Sequence, residues 1–165
     1  MSNSFLPEGY QTPQGGGGDY TRFAKGETLI RILSKPLMYW LELVDKKPVR
    51  KPFEIHKPAP KPQGDQKVKQ AWALIVYNYN TSKIEVCEIT QVTIKLAIEN
   101  YNKNAKWGNP FAYDLAINKT GEGLDTEYSV IANPKEPVSD VVKKAYKDTP
   151  INLQALLTGD NPFES

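Results

Sequence analysis

Six segments of the chain have the residue pattern of β-strands. They combine β-branched and aromatic residues with period-two alternation, which turns one face of a strand toward a core. The segments are residues 28–33, 37–44, 71–79, 83–89, 113–119 and 126–132. The third of them gives the strongest signal, and a short turn leads from it into the fourth. The pattern therefore predicts a mainly β protein.

A helix is predicted between the fourth and fifth of these segments. Its apolar positions at i, i+3, i+4 and i+7 are Ile94, Ala97, Ile98 and Tyr101. Thr90 is a candidate N-cap residue for this helix. Alternation over residues 92–98 leaves a strand as the second interpretation. Near the C-terminus, the pattern over 138–146 predicts a short amphipathic helix, and Thr149-Pro150 predicts the start of a last helical segment through Leu157.

Proline and glycine divide the remainder of the chain. We interpret residues 1–22, which include Gly15–Gly18, as a flexible leader without the Lys-Ser/Thr of a phosphate-binding loop. Residues 46–69 hold five prolines and are predicted to be a long extended loop, since proline lacks the donor that a central strand needs. Residues 23–147 would form one domain, and 148–165 an acidic C-terminal tail.

The order of elements is typical of one small architecture. It fits a five-stranded Greek-key barrel with a helix between the third and fourth barrel strands, followed by short C-terminal helical segments. This is the oligonucleotide/oligosaccharide-binding (OB) fold, whose ligands lie on the face of strands 2 and 3 and on the neighbouring loops.

Composition argues against catalysis and against a resident cofactor. Cys87 and His56 are the only cysteine and histidine, so together they cannot supply a tetrahedral zinc site, and no nucleophile motif is present. The longest apolar run, residues 71–77, is far shorter than a membrane span, and the N-terminus lacks a signal-peptide pattern. We therefore expect a cytoplasmic protein that is not an enzyme and has no metal, cofactor or membrane partner.

Positive charge is concentrated in the predicted loop. The chain has a formal net charge of +2, but residues 46–69 contain eight basic and two acidic residues. Such a segment indicates a surface that binds a polyanion, and the alternative is a lysine-rich linker that serves solubility. Several aromatic side chains lie near this charge. Alternation places Trp40 on an exposed strand face, Trp72 toward the core and Tyr77 or Tyr79 toward a ligand, where they would stack on bases.

Several blocks of residues resemble those of phage single-stranded-DNA-binding proteins. They are residues 25–33 (KGETLIRIL), 72–79 (WALIVYNY), 88–91 (EITQ), 106–110 (KWGNP), 113–114 (YD) and 121–128 (GEGLDTEY), in the order that this family has. The resemblance implies an OB-fold barrel that coats single-stranded DNA in phage replication, recombination or repair in the bacterial host cytoplasm. Some proteins of this function carry a structural zinc, whose ligands this chain lacks.

These observations give one functional hypothesis, sequence-tolerant binding of single-stranded DNA. The predicted DNA-binding residues are Arg31, Trp40, Lys46, Lys47, Arg50, Lys51, Lys57, Lys61, Tyr77, Tyr79 and Lys119. Arg31 is included on condition that its strand face is exposed. Two alternatives stay open, an RNA-binding OB module and a protein-interaction or structural phage component without nucleic-acid affinity.

The C-terminal residues resemble the acidic Pro-Phe tips with which bacterial single-strand binders recruit replication enzymes. The residues that carry this resemblance are Asp160, Pro162 and Phe163, with two further residues after them. The resemblance implies replication or recombination proteins as partners. The alternative interpretation is a frayed terminus in which Pro-Phe occurs by chance.

Overall fold

The structure, a computed structural model, describes residues 20–163 and contains seven β-strands in that range. The strands are β1 (Gly26–Ile32), β2 (Leu37–Val44), β3 (Lys47–Pro52), β4 (Lys69–Asn78), β5 (Lys83–Ile89), β6 (Asp114–Thr120) and β7 (Glu127–Ala132). The helices are α1 (Val92–Lys103), α2 (Asp140–Asp148) and α3 (Ala155–Thr158), with 3₁₀ turns at Pro110–Ala112 and Gly123–Asp125. Most of the predicted leader lies outside the described residues, whereas Tyr20 and Thr21 contact β5.

The strands form one open antiparallel sheet. Their order is β3-β2-β4-β1-β6-β7, and β5 pairs with the other edge of β4. β2 and β1 follow one another along a single edge of β4, so the chain bends between them at residues 33–36. The bend is tied to β4 because Ile75 donates its backbone N–H to Ser34 Oγ at 2.8 Å and accepts from Leu33 N at 2.9 Å.

The expectation that residues 46–69 are entirely loop is wrong. Residues 47–52 form β3, which pairs with β2 along its whole length. The sheet therefore has seven strands, the six predicted segments and β3, where a five-stranded barrel was expected. Pro48 and Pro52 are tolerated because β3 lies at the edge of the sheet, where a missing N–H breaks no second ladder. Asp45 and Lys46 both have positive φ and form the two-residue connection, as in a type I′ hairpin.

The sheet has two covered faces. The inner face, defined by Trp72, Leu74 and Val76 on β4, is continuous with the main core under α1. The outer face carries Ala73 and Tyr77 and is covered by the segment that contains α2 and α3. This segment buries the side of β4 and β5 that would be the ligand face of a simple OB barrel.

α1 confirms the helical interpretation of residues 92–103. Ile94 and Ile98 are buried. Tyr101 Oη accepts from Ala132 N of β7 at 3.2 Å, so the helix packs against this edge strand of the sheet. The N-cap residue is Gln91, not Thr90 as predicted, and its side chain makes no cap hydrogen bond. No helix within residues 20–163 has both the length and the apolar composition needed to cross a membrane.

The C-terminal helices differ in how well the sequence predicted them. α2 begins after Ser139, whose side chain accepts from Val142 N at 3.3 Å, and it overlaps the predicted segment 138–146 but ends two residues later, at Asp148. The prediction that a helix starts at Thr149-Pro150 is wrong. α3 begins at Ala155, after Asn152 Oδ1 accepts from Gln154 N at 3.2 Å and turns the chain.

Candidate nucleic-acid interface

Two tryptophans and a lysine project from the inner face of the sheet where β2, β3 and β4 meet. Trp40 is paired with Lys51 of β3 on one side and with Gln70 of β4 on the other, and Met38 is paired with Trp72. Residues directly opposite one another in an antiparallel pair project from the same face of the sheet. We call this surface, formed by these five side chains, the Trp40–Trp72 face.

The Trp40–Trp72 face combines aromatic rings with cations. Trp40 is half-buried and packs against Phe53, with ring centroids 5.3 Å apart. Lys95 of α1 reaches the same face, where its Nζ donates to Gln70 O at 2.6 Å and to Gln70 Oε1 at 2.8 Å. Burial lowers the pKa of Lys95 from its usual value.

A pocket of about 360 Å³ adjoins this face at the bend between β1 and β2. Its aromatic and apolar lining includes Met38, Trp72 and Phe111. Lys35 and Lys103 also line it, as do Glu99, Asn102 and Asn109. Glu99 lies 3.7 Å from Lys103 in an exposed ion pair, a kind of contact that contributes little to stability.

The segment between β3 and β4, residues 53–68, is hydrogen-bonded to the β2–β3 hairpin, and we call it the Pro/Lys segment. Glu42 of β2 is buried, and its Oε2 accepts hydrogen bonds from Gln63 N at 2.7 Å and Gly64 N at 2.9 Å. Glu42 lies two residues after Trp40 on β2, so the two side chains project from the same face of the strand. The two hydrogen bonds therefore hold the Pro/Lys segment on the side of the Trp40–Trp72 face. These two charge-assisted hydrogen bonds from backbone N–H groups stabilise the buried carboxylate of Glu42.

Replacing Glu42 with alanine is expected to release this segment. Hydrogen bonds to a charged acceptor contribute about 1.5–3 kcal/mol each, so the two bonds set an upper limit of about 3–6 kcal/mol. Because Gln63 and Gly64 are exposed and their N–H groups can bond to water instead, Glu42→Ala should lower the free energy of unfolding by about 2–3 kcal/mol. Hydrogen exchange of the Gln63 and Gly64 amides should become faster. Glu54→Ala, which removes an exposed acid from the same segment, is the matched control. Unchanged protection of these two amides in Glu42→Ala would contradict the anchoring role.

The basic residues of 46–69 are mostly available to an anion. Six of the eight are exposed, and they are Lys46, Lys47, Lys57, Lys61, Lys67 and Lys69. Lys46 and Lys47 lie at the tip of the β2–β3 hairpin. Lys57 is bridged to Glu54 at 2.6 Å, with both side chains largely in solvent. Five of the six therefore lie on the β2–β3 hairpin and on the segment that follows it, whereas Lys69 pairs with Leu41 of β2 and projects from the outer face, opposite Trp40.

Arg50 does not belong to this group. It pairs with Leu41, so it projects from the outer face, opposite Trp40. Its Nε donates to Glu88 Oε2 at 3.1 Å, and its guanidinium lies 5.6 Å from the centre of the Tyr39 ring. Tyr39 also donates a hydrogen bond to Glu88, and burial followed by the Glu88 charge raises the pKa of this tyrosine. The side chain of Arg50 therefore contacts Glu88 and Tyr39 of the protein instead of a phosphate.

Arg31 does not lie on an exposed strand face, so the condition for a DNA contact is not met. Its side chain is 1% exposed, and Nε donates to Asp114 Oδ1 at 2.7 Å. The other two guanidinium nitrogens donate to Phe111 O at 3.1 Å and Glu136 O at 3.0 Å. Asp114 is opposite Arg31 in the pairing of β1 with β6, which puts both side chains on one face. Arg31 therefore connects strands and loops inside the protein.

The two tyrosines at the end of β4 are covered as well. Tyr77 is 6% exposed and belongs to the cluster beneath Val142 of α2, so its ring does not face a ligand. Tyr79 is half-buried against Tyr77, with ring centroids 5.0 Å apart, and its hydroxyl donates to Asp114 Oδ1 at 3.0 Å. Burial, followed by this hydrogen bond, raises the pKa of Tyr79 to about 12.

Lys119 lies away from the β2–β3 hairpin, whereas the C-terminal residues pack against the outer face of this hairpin, in the cluster that contains Tyr39 and Leu156. Lys119 is on β6, which pairs with β1 and β7 and not with β2 or β3, and its Nζ is 6.0 Å from the centre of the Tyr128 ring. Pro162 is buried and accepts from Asn152 N at 2.8 Å, and the Phe163 ring packs edge-on against Tyr20 at 5.4 Å. The Pro162-Phe163 pair is therefore docked on the protein itself.

The sequence pattern also missed several residues of this surface. Trp72 was assigned to the core, and it does contact the core, but it also lines the pocket. Phe53, Lys35 and Lys103 carried no distinct signal, because they come from a loop, a bend and a helix end that only folding brings near β2.

The described residues contain little chemistry of other kinds. Among residues 20–163, no group of three or more His, Cys, Asp or Glu side chains is arranged to hold a metal ion. Cys87 is fully buried in β5, and burial raises the pKa of its thiol to about 12. Its thiol therefore stays protonated at neutral pH, where a thiolate would be the nucleophile.

Comparison with known proteins gives one partial similarity. Over 64 residues the chain is 34% identical to the probable ssDNA-binding protein of Escherichia phage T5. The match covers 39% of this chain and 24% of the phage T5 protein, so it spans about a quarter of that relative's length. No family model matches the chain. No solved structure matches it either. The similarity therefore points to a distant phage protein whose name describes binding rather than catalysis.

Proposed function

We propose that this protein binds single-stranded DNA without sequence preference and without catalysis. The observation that carries the proposal is the Trp40–Trp72 face, where Trp40 lies opposite Lys51 and Trp72 projects from the neighbouring strand β4. The hairpin and the segment next to this face carry five exposed lysines, which are Lys46, Lys47, Lys57, Lys61 and Lys67. Bases of any sequence stack on aromatic rings, and lysines neutralise the phosphates between them. The name of the phage T5 relative agrees with this chemistry.

Single strands fit this surface better than a duplex does. Stacking on Trp40 and Phe53 requires bases whose faces are free, which a double helix does not offer. Proteins that read duplex DNA usually insert a basic recognition helix into the major groove. α1 is the longest described helix, and its lysines are Lys95 and Lys103, of which Lys95 is held by Gln70.

We further propose that the sheet is an elaborated OB fold. β1, β4, β5, β6 and β7, with α1 between β5 and β6, follow the strand and helix order of that architecture, and β1 pairs with both β4 and β6. The β2–β3 hairpin and the Pro/Lys segment then occupy the loop between its first and second strands. That loop is one of those that bind nucleic acid in OB folds. A role in phage DNA replication, recombination or repair, in the host cytoplasm, belongs to the same proposal.

The proposed function is tested by titrating the protein with oligo-dT at several salt concentrations while intrinsic tryptophan emission is recorded. Quenched emission and salt-dependent affinity are expected. Lys57→Ala combined with Lys61→Ala should reduce the slope of log K against log salt by about 1.4, since each phosphate contact on a single strand contributes about 0.7. Lys143→Ala with Lys147→Ala, two exposed lysines of α2, is the matched control.

The outcomes of this titration are distinct. Absence of binding at low salt would overturn the proposed function and favour a protein-interaction role. Equal slopes for the two double variants would contradict a contact from the Pro/Lys segment. Tighter binding to a matched RNA oligomer than to oligo-dT would favour an RNA-binding module. Binding without quenching, detected with a labelled oligomer, would remove the tryptophans from the site.

The C-terminal residues keep their predicted role as part of the proposal. Recruitment of a replication or recombination protein through Asp160, Pro162 and Phe163 would require Phe163 to leave the ring of Tyr20. Asp160 N also donates to Ala155 O at 3.0 Å, and Pro162 O accepts from Asn152 N at 2.8 Å, so the segment is held by backbone hydrogen bonds as well. Partner binding through this segment therefore competes with its docking on the protein.

A further inference from the structure

The pocket at the bend between β1 and β2 has the size and lining of a site for one flat ring. Its volume of about 360 Å³ lies near the lower end of pockets that enclose small ligands. Trp72, Phe111 and Met38 line it, together with the core residues Ile32 and Leu74. We propose that this pocket receives one nucleobase of the bound strand, inserted among these side chains instead of stacked on the surface.

The polar groups of the pocket lining can bind the phosphate and the base edge of a nucleotide. Lys35 is exposed and lines the pocket, so it is available to a phosphate that flanks an inserted base. Glu99, the acid in the lining, is neutralised by Lys103. Asn109 Oδ1 accepts from Phe111 N at 2.9 Å, which leaves its NH₂ group as a donor toward an acceptor on a base edge.

The location of the pocket connects this inference to the proposed function, on which it rests. Trp72 belongs both to the pocket lining and to the Trp40–Trp72 face, where Met38 is its neighbour on β2. Trp40 lies two residues beyond Met38 along the same strand, a distance of about 7 Å. A strand that stacks one base on Trp40 can therefore present a following base to the pocket.

A tryptophan at Asn102 would fill the pocket and test this inference. Asn102 is an exposed residue of α1 that lines the pocket, so Asn102→Trp can place a ring there with little change to the core. Asn100→Trp adds the same ring at an exposed position of α1 outside the pocket lining and is the matched control. Far-ultraviolet circular dichroism and the thermal midpoint establish that both variants are folded.

The measurement is the affinity for a labelled short oligo-dT and for an abasic backbone of equal length, by fluorescence anisotropy. Asn102→Trp should bind oligo-dT roughly 5- to 150-fold more weakly than Asn100→Trp, the equivalent of one lost base stack. Both variants should bind the abasic backbone equally, because the phosphate contacts are unchanged. The salt dependence of oligo-dT binding should also stay the same.

The failure of this inference can be distinguished from the failure of the proposed function. If Asn102→Trp binds oligo-dT as tightly as Asn100→Trp or more tightly, the pocket holds no base, while DNA binding itself stands. Equal weakening on oligo-dT and on the abasic backbone would mean that the strand crosses the pocket without inserting a base, which also overturns the inference. If the unmodified protein binds neither oligomer, both proposals fail together.

Discussion

Arg31→Met should lower the free energy of unfolding by about 3–5 kcal/mol, the largest loss that we expect from a single charged residue of this protein. The side chain is 1% exposed, and the substitution removes the cation that faces Asp114. It would leave a buried carboxylate with Tyr79 as its remaining side-chain donor and would free the carbonyls of Phe111 and Glu136. An uncompensated buried charge costs more than the pair itself contributes.

Equilibrium denaturation in urea measures this loss. Lys25→Met is the matched control because it breaks an ion pair between Lys25 and Glu122, whose side chains are 68% and 85% exposed. Exposed ion pairs contribute about 1 kcal/mol or less to stability. Arg31→Met combined with Asp114→Leu should recover part of the stability. If Arg31→Met were as stable as Lys25→Met but bound DNA with a smaller salt slope, Arg31 would be a phosphate contact after all.

Trp40→Ala should weaken binding to oligo-dT by roughly 5- to 150-fold, the effect of removing one stacking ring. Trp40 is half-buried between Lys51 and Gln70, so its ring is accessible on the Trp40–Trp72 face. Trp40→Phe keeps an aromatic ring at this position and should restore most of the affinity. The salt dependence of binding should not change, because no cation is removed.

Fluorescence anisotropy of a labelled oligomer is the appropriate measurement, since the substitution removes one source of tryptophan emission. Tyr146→Ala provides the control, because Tyr146 is an exposed aromatic residue of α2 and lies outside the Trp40–Trp72 face. Thermal midpoints should be compared, since Trp40 also contacts Phe53. Equal affinity of Trp40→Ala and Tyr146→Ala at low salt would sink the assignment of Trp40 as a stacking residue.

Part of the candidate site could be predicted from local pattern. Alternation along β2 correctly put Trp40 and Tyr39 on opposite faces. Lys51 lies directly opposite Trp40 because β2 pairs with β3. The pairing itself was missed, because proline within 46–69 was interpreted as the absence of any strand. Edge strands accept proline, and only the position of β3 in the sheet reveals that it is an edge.

The burial of Tyr77 and of Trp72 could not be ranked from the sequence. Residues 71–77 are apolar at every position, so both faces of β4 have the composition of a core and alternation gives no preference between them. α1 covers one face, and the C-terminal segment with α2 covers the other. Which ring remains near a pocket depends on how these distant segments fit, and that is a property of the whole fold.

The sequence by itself determined the order of the elements, because strand alternation, helical periodicity and turn residues act between neighbours along the chain. It also determined the concentration of lysine beside Trp40. The tertiary structure decided which charges are free. Arg31 meets Asp114, 83 residues later in the chain, and Arg50 meets Glu88 across the sheet. Ion pairs between residues so far apart depend on strand register, which no local pattern specifies.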